Sequence, residues 1–152
     1  MSKPIRKKTT PPAAPLTVAE EAAPAKPKVL LVEDYADARE MYGEYLEFAG
    51  FQVEMACNGV EAIEKAQERP PDVILMDMSL PLMNGWEATR HLKGDAQTKD
   101  IPVVALTGHV LPQHSAQADE AGCDSFVTKP CLPTDVVKHV RELLSARKLK
   151  VP

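Results

Sequence analysis

The stretch DVILMD, residues 72–77, decides the fold. Its four central residues are apolar without the alternation of a half-exposed strand, a pattern typical of a parallel strand buried on both faces. An acidic residue, Asp77, ends the run. We therefore predict a central strand of a parallel sheet that carries a carboxylate at its C-terminal end.

Other apolar runs on either side of this stretch have the same form. They are KVLLVED (28–34), IPVVALT (101–107) and the shorter DSFVTKP (124–130), while FQVEMA (51–56) alternates as an outer strand does. Five strands are therefore predicted. Apolar residues at helical spacing separate them and predict helices over about 36–49, 60–67, 85–93, 112–121 and 133–146.

Strands that alternate with helices through short connections favour an α/β fold in which helices cover both faces of a parallel sheet. For five such units the natural arrangement is the flavodoxin-like (βα)5 fold, with strand order 2-1-3-4-5. Open folds of this class place their ligands at the carboxyl edge of the sheet. The residues that end the strands are therefore the candidates for function.

Chemically complementary residues end these strands. Glu33 and Asp34 follow the first strand, Asp77 ends the third, Thr107 the fourth and Lys129 the fifth. Neighbouring carboxylates repel one another unless a cation lies among them, and Mg²⁺ prefers such hard oxygen ligands. An Asp carboxylate also attacks phosphorus as a nucleophile. The pattern predicts a site for Mg²⁺ and a phosphoryl group.

Composition sets the broad class of the protein. The 152 residues are 44% hydrophobic and 26% charged, which is typical of one globular domain. The sequence shows neither an apolar run long enough to span a bilayer nor a signal-peptide pattern, so we expect a cytoplasmic protein. Three cysteines without a C-x-x-C pair predict ordinary thiols in a reducing compartment.

Residues 1–27 differ from the rest of the chain. Five Lys or Arg against two Glu give this segment a net charge of +3, whereas the whole chain carries -4. Because it is rich in Pro and Ala and lacks periodicity, we interpret it as a disordered tail. Its basic cluster suits a membrane, nucleic acid or an acidic partner, and a solvated tail without function is the simpler alternative.

The strand ends and the segments around them resemble the receiver domain of two-component response regulators. The resemblance covers residues 28–147 and leaves 148–152 as a short C-terminal tail. It rests on LLVED (30–34), VILMDMSLPLMNGWE (73–87), VVALTGH (103–109) and AGCDSFVTKP (121–130), all in the family's order and spacing.

The resemblance implies a role for each residue of the site. Asp77 would be the phosphoacceptor, and Asp34, Asp77 and the backbone carbonyl of Ser79 would hold Mg²⁺, with Glu33 contributing directly or through water. Lys129 and Thr107 would contact the phosphoryl group, and Thr107 would act with Phe126 as the switch. Ser79 and His109 would set the lifetime of the phosphate.

The resemblance also implies the partners. A histidine kinase or histidine phosphotransfer protein would supply the phosphoryl group. The readout would be a changed surface on the predicted fourth helix, fifth strand and fifth helix, which binds a downstream target or, in some members, a second receiver as a homodimer. With no output domain after the last helix, we expect a stand-alone, non-enzymatic regulator or phosphorelay intermediate whose folded domain binds no nucleic acid.

Two alternatives belong to other classes. One is a phosphatase of the haloacid dehalogenase type, which also uses an Asp nucleophile and Mg²⁺. That family carries D-x-D on its first strand, whereas here the candidate nucleophile lies on the third, in D-M-S. The other is a receiver fold that serves as a docking scaffold without phosphorylation.

Overall fold

The structure of the chain is a computed structural model that describes residues 26–80, 82–108 and 120–150. Within these ranges the longer elements follow one another as β1 (Lys28–Val32), α1 (Ala36–Phe48), β2 (Gln52–Ala56), α2 (Gly59–Glu68), β3 (Val73–Asp77), α3 (Gly85–Gly94), β4 (Val103–Thr107), β5 (Ser125–Thr128) and α4 (Pro133–Lys150). The helix predicted over 112–121 lies outside the described residues except for 120–121, which are helical. The tail predicted over residues 1–27 also falls outside these ranges, except for residues 26–27.

The strands form one parallel sheet in the order β2-β1-β3-β4-β5. This confirms the flavodoxin-like fold and strand order predicted from the sequence. β1, β3 and β4 each have a strand on both sides, which explains why their segments read as apolar runs without alternation. The topology brings the C-terminal ends of β1 and β3 side by side.

Helices cover both faces of the sheet, and each face has its own apolar layer. Alternate strand residues, such as Leu30 and Ile74, pack with Ala62, Ala88 and Leu92 of α2 and α3. The intervening strand residues point to the other face and pack against α1 and α4; they include Val29, Leu31, Leu75 and Leu106. Each large aliphatic side chain buried in this way stabilises the fold by about 1.5–3 kcal/mol.

Local residues explain where the helices begin and end. Asn58 and Asn84 precede α2 and α3, and their side chains accept hydrogen bonds from the backbone N–H groups of Glu61 and Glu87, at 2.8 and 3.0 Å. Gly50 follows α1 with a φ of 105°, a conformation that costs glycine little. These caps fix the boundaries of three of the helices to within a residue or two of the prediction.

The C-terminal helix is longer than predicted. The sequence predicts a helix over 133–146, but α4 continues to Lys150. The apolar periodicity ends near Leu144, whereas the following residues SARKLK contain no helix breaker and several strong helix formers. In the part of the chain that the structure describes, every helix is too short or too polar to cross a lipid bilayer.

Candidate functional site

Three acidic side chains meet at the carboxyl edge of the sheet. Glu33 and Asp34 follow β1, and Asp77 ends the neighbouring β3. One carboxylate oxygen from each of the three lies within 4.8 Å of the others. Glu33 and Asp77 are buried, at 1% and 5% exposure, while Asp34 is exposed. The cluster is therefore closed on the side of the sheet and open to solvent on the side of Asp34.

The ammonium group of Lys129 lies against this cluster. Its Nζ donates a hydrogen bond to Oε1 of Glu33 at 2.7 Å and is 3.5 Å from Oδ2 of Asp77. The backbone N–H of Lys129 also donates to the carbonyl oxygen of Thr107 at 2.7 Å, which ties the end of β5 to the end of β4. The strand ends thus bring together the acidic pair of β1, the Asp of β3 and the Lys after β5, as the sequence predicts.

Burial and charge shift the pKa values of two of these groups. Burial raises the pKa of Glu33, and the neighbouring Asp77 raises it further, while the hydrogen bond from Lys129 lowers it only in part. Burial works against the charged form of Lys129, but its contacts with Glu33 and Asp77 outweigh burial and raise its pKa. The ammonium group of Lys129 thus remains protonated, whereas keeping Glu33 ionised costs free energy.

The loop after β3 holds Asp77 through backbone contacts. The backbone N–H of Ser79 donates a hydrogen bond to Oδ1 of Asp77 at 3.1 Å. The N–H of Met78 donates to the carbonyl oxygen of Leu106 at 3.0 Å. At the start of α3, a Cβ atom on Gly85 would lie 2.4 Å from the carbonyl oxygen of Asp77, so the helix approaches the strand end more closely than a side chain allows.

Arg39 is a residue of the site that the sequence did not single out. Its Nη1 donates hydrogen bonds to the backbone carbonyl oxygens of Glu33, at 2.9 Å, and Asp34, at 3.3 Å. The guanidinium group thereby fixes the loop that carries both carboxylates. A basic residue five positions after Asp34, one turn into the helix, is the sequence signal that could have indicated this contact.

Of the remaining predicted residues, the structure describes Thr107, Phe126 and Ser79 but not His109. Thr107 ends β4 and is half-buried, beside Thr128 of β5. Phe126 lies on β5 and is 37% exposed. The side chain of Ser79 is exposed, and its backbone carbonyl stays a predicted metal ligand. His109 lies outside the described residues, so its predicted role in phosphate lifetime stays a prediction.

Comparison with known proteins identifies the family. Residues 29–141 match the family described as the response regulator receiver domain. The chain belongs to this family. The receiver is 31% identical over 116 residues to the polar-differentiation response regulator DivK of Brucella anthropi, an alignment that covers 76% of this chain and 94% of DivK. The resemblance inferred from the sequence is thereby confirmed.

Solved structures of other receivers share the fold. The chemotaxis protein CheY4 of Vibrio cholerae superposes with a TM-score of 0.75 at 33% identity, covering 78% of this receiver and 98% of CheY4. The receiver domain of the sensor histidine kinase PA1611 from Pseudomonas aeruginosa PAO1 has a TM-score of 0.74 at 26% identity, with 80% and 99% covered. That structure holds a magnesium ion in its active site cleft.

The acidic cluster of this receiver fits a divalent cation by its own chemistry. It offers oxygen donors of the kind that Mg²⁺ prefers, and Asp34 is open to solvent, which suits an ion that keeps several of its waters. Burial and the neighbouring Asp77 raise the pKa of Glu33, and a cation would relieve the repulsion between these two carboxylates. Receiver domains bind Mg²⁺ in such an acidic pocket, and the residues that would hold it here are Asp34, Asp77 and Glu33.

The contact between Lys129 and Glu33 gives the first prediction. Without metal and at neutral pH, Lys129→Met is expected to lower the free energy of unfolding by about 1–3 kcal/mol, because it leaves the buried Glu33 carboxylate without its hydrogen-bond donor and counter-charge. The loss should become smaller as the pH falls toward the raised pKa of Glu33, since a protonated carboxyl needs no counter-charge. Urea unfolding in the presence of a chelator measures it.

A double-mutant cycle provides the control for this prediction. In the Glu33→Gln background, Lys129→Met should lower the free energy of unfolding clearly less than it does in the wild type, because the negative charge that Lys129 compensates is already absent. Equal costs in the two backgrounds would show that the 2.7 Å contact does not stabilise the fold.

Proposed function

We propose that this receiver accepts a phosphoryl group on Asp77 from a phosphohistidine of a histidine kinase or histidine phosphotransfer protein. The proposal rests on one observation: Asp77 lies close to Glu33, Asp34 and Lys129 at one edge of the sheet. In the transfer, an Asp77 carboxylate oxygen forms a bond to phosphorus while the bond between phosphorus and the donor's imidazole nitrogen breaks. The electron pair of that bond stays on the imidazole.

Each neighbouring residue has a task in this transfer. Asp34, Asp77 and Glu33 would hold Mg²⁺, which when bound would neutralise negative charge on the transferring group. Lys129 brings a second positive charge. Once the phosphoryl group is on Asp77, the ammonium group donates hydrogen bonds to phosphoryl oxygens in place of carboxylate oxygens. The Ser79 N–H holds one oxygen of Asp77, which leaves the other for attack. The hydroxyl of Thr107 donates to a phosphoryl oxygen, and Phe126 follows its movement.

The output of the switch is a surface. Phe126 is partly exposed on β5, beside the strand that ends in Thr107. A movement of Thr107 on β4 is therefore transmitted to the exposed Phe126 through the neighbouring strand β5. We propose that the surface made by the segment before β5, β5 itself and α4 binds a downstream protein, or a second copy of the receiver, more tightly when Asp77 is phosphorylated.

The function is tested by offering the full chain acetyl phosphate as a small phosphoryl donor with Mg²⁺. We expect a mass gain of one phosphoryl group per chain that depends on Mg²⁺ and is lost on prolonged incubation without donor. A chain that gains no phosphoryl group would favour the docking scaffold. Turnover of many equivalents of a small phosphate ester would favour the phosphatase.

Metal binding gives the second prediction. Asp34→Asn is expected to weaken Mg²⁺ binding by at least about 10–100-fold, the loss typical of changing a residue that only supports a metal ligand, because it removes a charged ligand from the solvent-open side of the cluster. A Mg²⁺ titration followed by the fluorescence of Trp86, next to Gly85 at the start of α3, measures the affinity.

Asp37→Asn is the matched control for this prediction. It removes the same charge three residues later, from the exposed first turn of α1. We expect an affinity within about twofold of wild type, because exposed charges outside the ligand set are largely screened by solvent and salt. Similar losses in both variants would show that the ion responds to general negative charge rather than to coordination by Asp34.

A further inference from the structure

A groove on the surface between α1 and α4 has no role in the proposed phosphoryl transfer. It has a volume of about 460 Å³ and is lined on one side by Tyr45, Phe48 and Ala49 of the α1 end, and on the other by Val137 and neighbouring residues of α4. Phe48 is 92% exposed and Tyr45 43%. Two aromatic side chains at such exposure beside an apolar groove indicate a surface that another segment covers.

The charge at the groove restricts what can cover it. Lys138 and Arg141 line its α4 side and are both exposed, and Glu142 lies beside them, so the rim carries a net positive charge. Arg141 donates one hydrogen bond to the carbonyl oxygen of Ala49 at 3.1 Å, which fixes the guanidinium at the rim while its other N–H groups remain able to bind an anion. The occupant should therefore be apolar and acidic.

The chain itself supplies such a segment. Residues 15–21, PLTVAEE, contain Leu16 and Val18 followed by Glu20 and Glu21. The other end of residues 1–25 carries the basic cluster at Lys3, Arg6, Lys7 and Lys8, which the positive rim would repel. Apolar and acidic character thus occur together at one place in this segment.

The segment enters the folded domain next to the groove. The backbone N–H of Gln52 donates to the carbonyl oxygen of Pro27 at 2.9 Å, and Gln52 lies three residues after Ala49 of the groove. Pro27 follows Glu21 by six positions, and six extended residues span up to about 20 Å. Residues 15–21 are therefore tethered within reach, and tethering gives them a high effective concentration at the groove.

We propose that residues 15–21 dock in cis into the groove between α1 and α4. Leu16 and Val18 cover the apolar surface around Tyr45 and Phe48, and Glu20 and Glu21 lie beside Lys138 and Arg141. The N-terminal segment then serves as an intramolecular cover for this face of the receiver and withholds it from other proteins.

Amide hydrogen exchange of the full chain, analysed by mass spectrometry of its peptides, tests the proposal. We expect the amides of residues 16–21 to exchange roughly tenfold more slowly than a free chain of the same sequence, and residues 3–8 to exchange at the free-chain rate. Reversing the rim charges with Lys138→Glu and Arg141→Glu should remove the protection. Adding Glu20→Lys and Glu21→Lys to that variant should restore it.

The matched control reverses two exposed charges on the opposite side of the sheet. Arg90→Glu and Lys99→Glu, in α3 and the turn after it, should leave the protection of residues 16–21 unchanged. Both positions at the rim are exposed, so a far-UV circular dichroism melt is expected to show that the rim variant stays folded. Free-chain exchange of residues 16–21 in the wild type would overturn the proposal, as would protection that rises with protein concentration and so comes from a second copy.

Discussion

Asp77→Asn is expected to abolish phosphoryl uptake from acetyl phosphate and Mg²⁺. The substitution keeps the size of the side chain and an oxygen that accepts the hydrogen bond from the Ser79 N–H at 3.1 Å. It removes the carboxylate nucleophile, because a neutral amide oxygen does not form a comparable bond to phosphorus. Intact-protein mass spectrometry should find one phosphoryl group on the wild type and none on the variant.

The same variant should remain as stable as the wild type or become more stable. Asp77 is buried in a cluster with Glu33 and Asp34, so removing its charge relieves repulsion. Lys129 keeps its shorter contact, the 2.7 Å hydrogen bond to Glu33. A loss of phosphoryl uptake without a loss of stability, measured by urea unfolding, assigns the effect to chemistry rather than to folding.

Asp100→Asn is the control for general effects of removing an acidic side chain. Asp100 is exposed in the turn after α3 and should be dispensable for phosphoryl uptake. Uptake in the Asp77→Asn chain at the wild-type level would place the phosphoryl group elsewhere and contradict the proposed function.

The sequence predicts the sheet because the burial of a strand restricts the residue types that it can contain. β1, β3 and β4 are covered on both faces, so almost every residue in them is apolar, and the residue after or at the strand end is the first that is free to be polar. Glu33, Asp77 and Thr107 appear at these ends. The short connections indicate βα units, for which the flavodoxin-like strand order is the natural choice, and that order brings the polar ends together.

The pairing inside the site could not be predicted in the same way. The sequence indicates that Lys129 lies near the acidic residues, but its hydrogen bond goes to Glu33, and Asp77 lies farther away at 3.5 Å. Which carboxylate accepts the hydrogen bond from the ammonium group depends on differences in distance of less than 1 Å and on the relative burial of the two acids. The contacts of Arg39 were missed for a related reason, because they go to backbone carbonyls, which every residue has.

Gly85→Ala is expected to lower the free energy of unfolding by about 3 kcal/mol or more. The new Cβ would lie 2.4 Å from the carbonyl oxygen of Asp77 and 2.7 Å from Cα of Met78, and both are backbone atoms that no rotamer change can move. Insertion of one carbon into a packed site typically costs about 1–3 kcal/mol, and backbone contacts this short belong to the upper end. Urea unfolding followed by far-UV circular dichroism measures the loss.

Gly94→Ala, at the other end of α3, is the matched control. Nothing lies within 4 Å of the Cβ position at Gly94, so the substitution should change stability by no more than about 1 kcal/mol, and alanine's helix propensity favours a gain. Because the clash at Gly85 falls on Asp77 itself, the Gly85→Ala chain should also take up phosphoryl groups more slowly under conditions where it remains folded, whereas Gly94→Ala should keep the wild-type rate. Equal stability of the two variants would mean that α3 moves away from β3 without a loss of stability. The close approach of α3 to β3 would then not be what holds Asp77 in place.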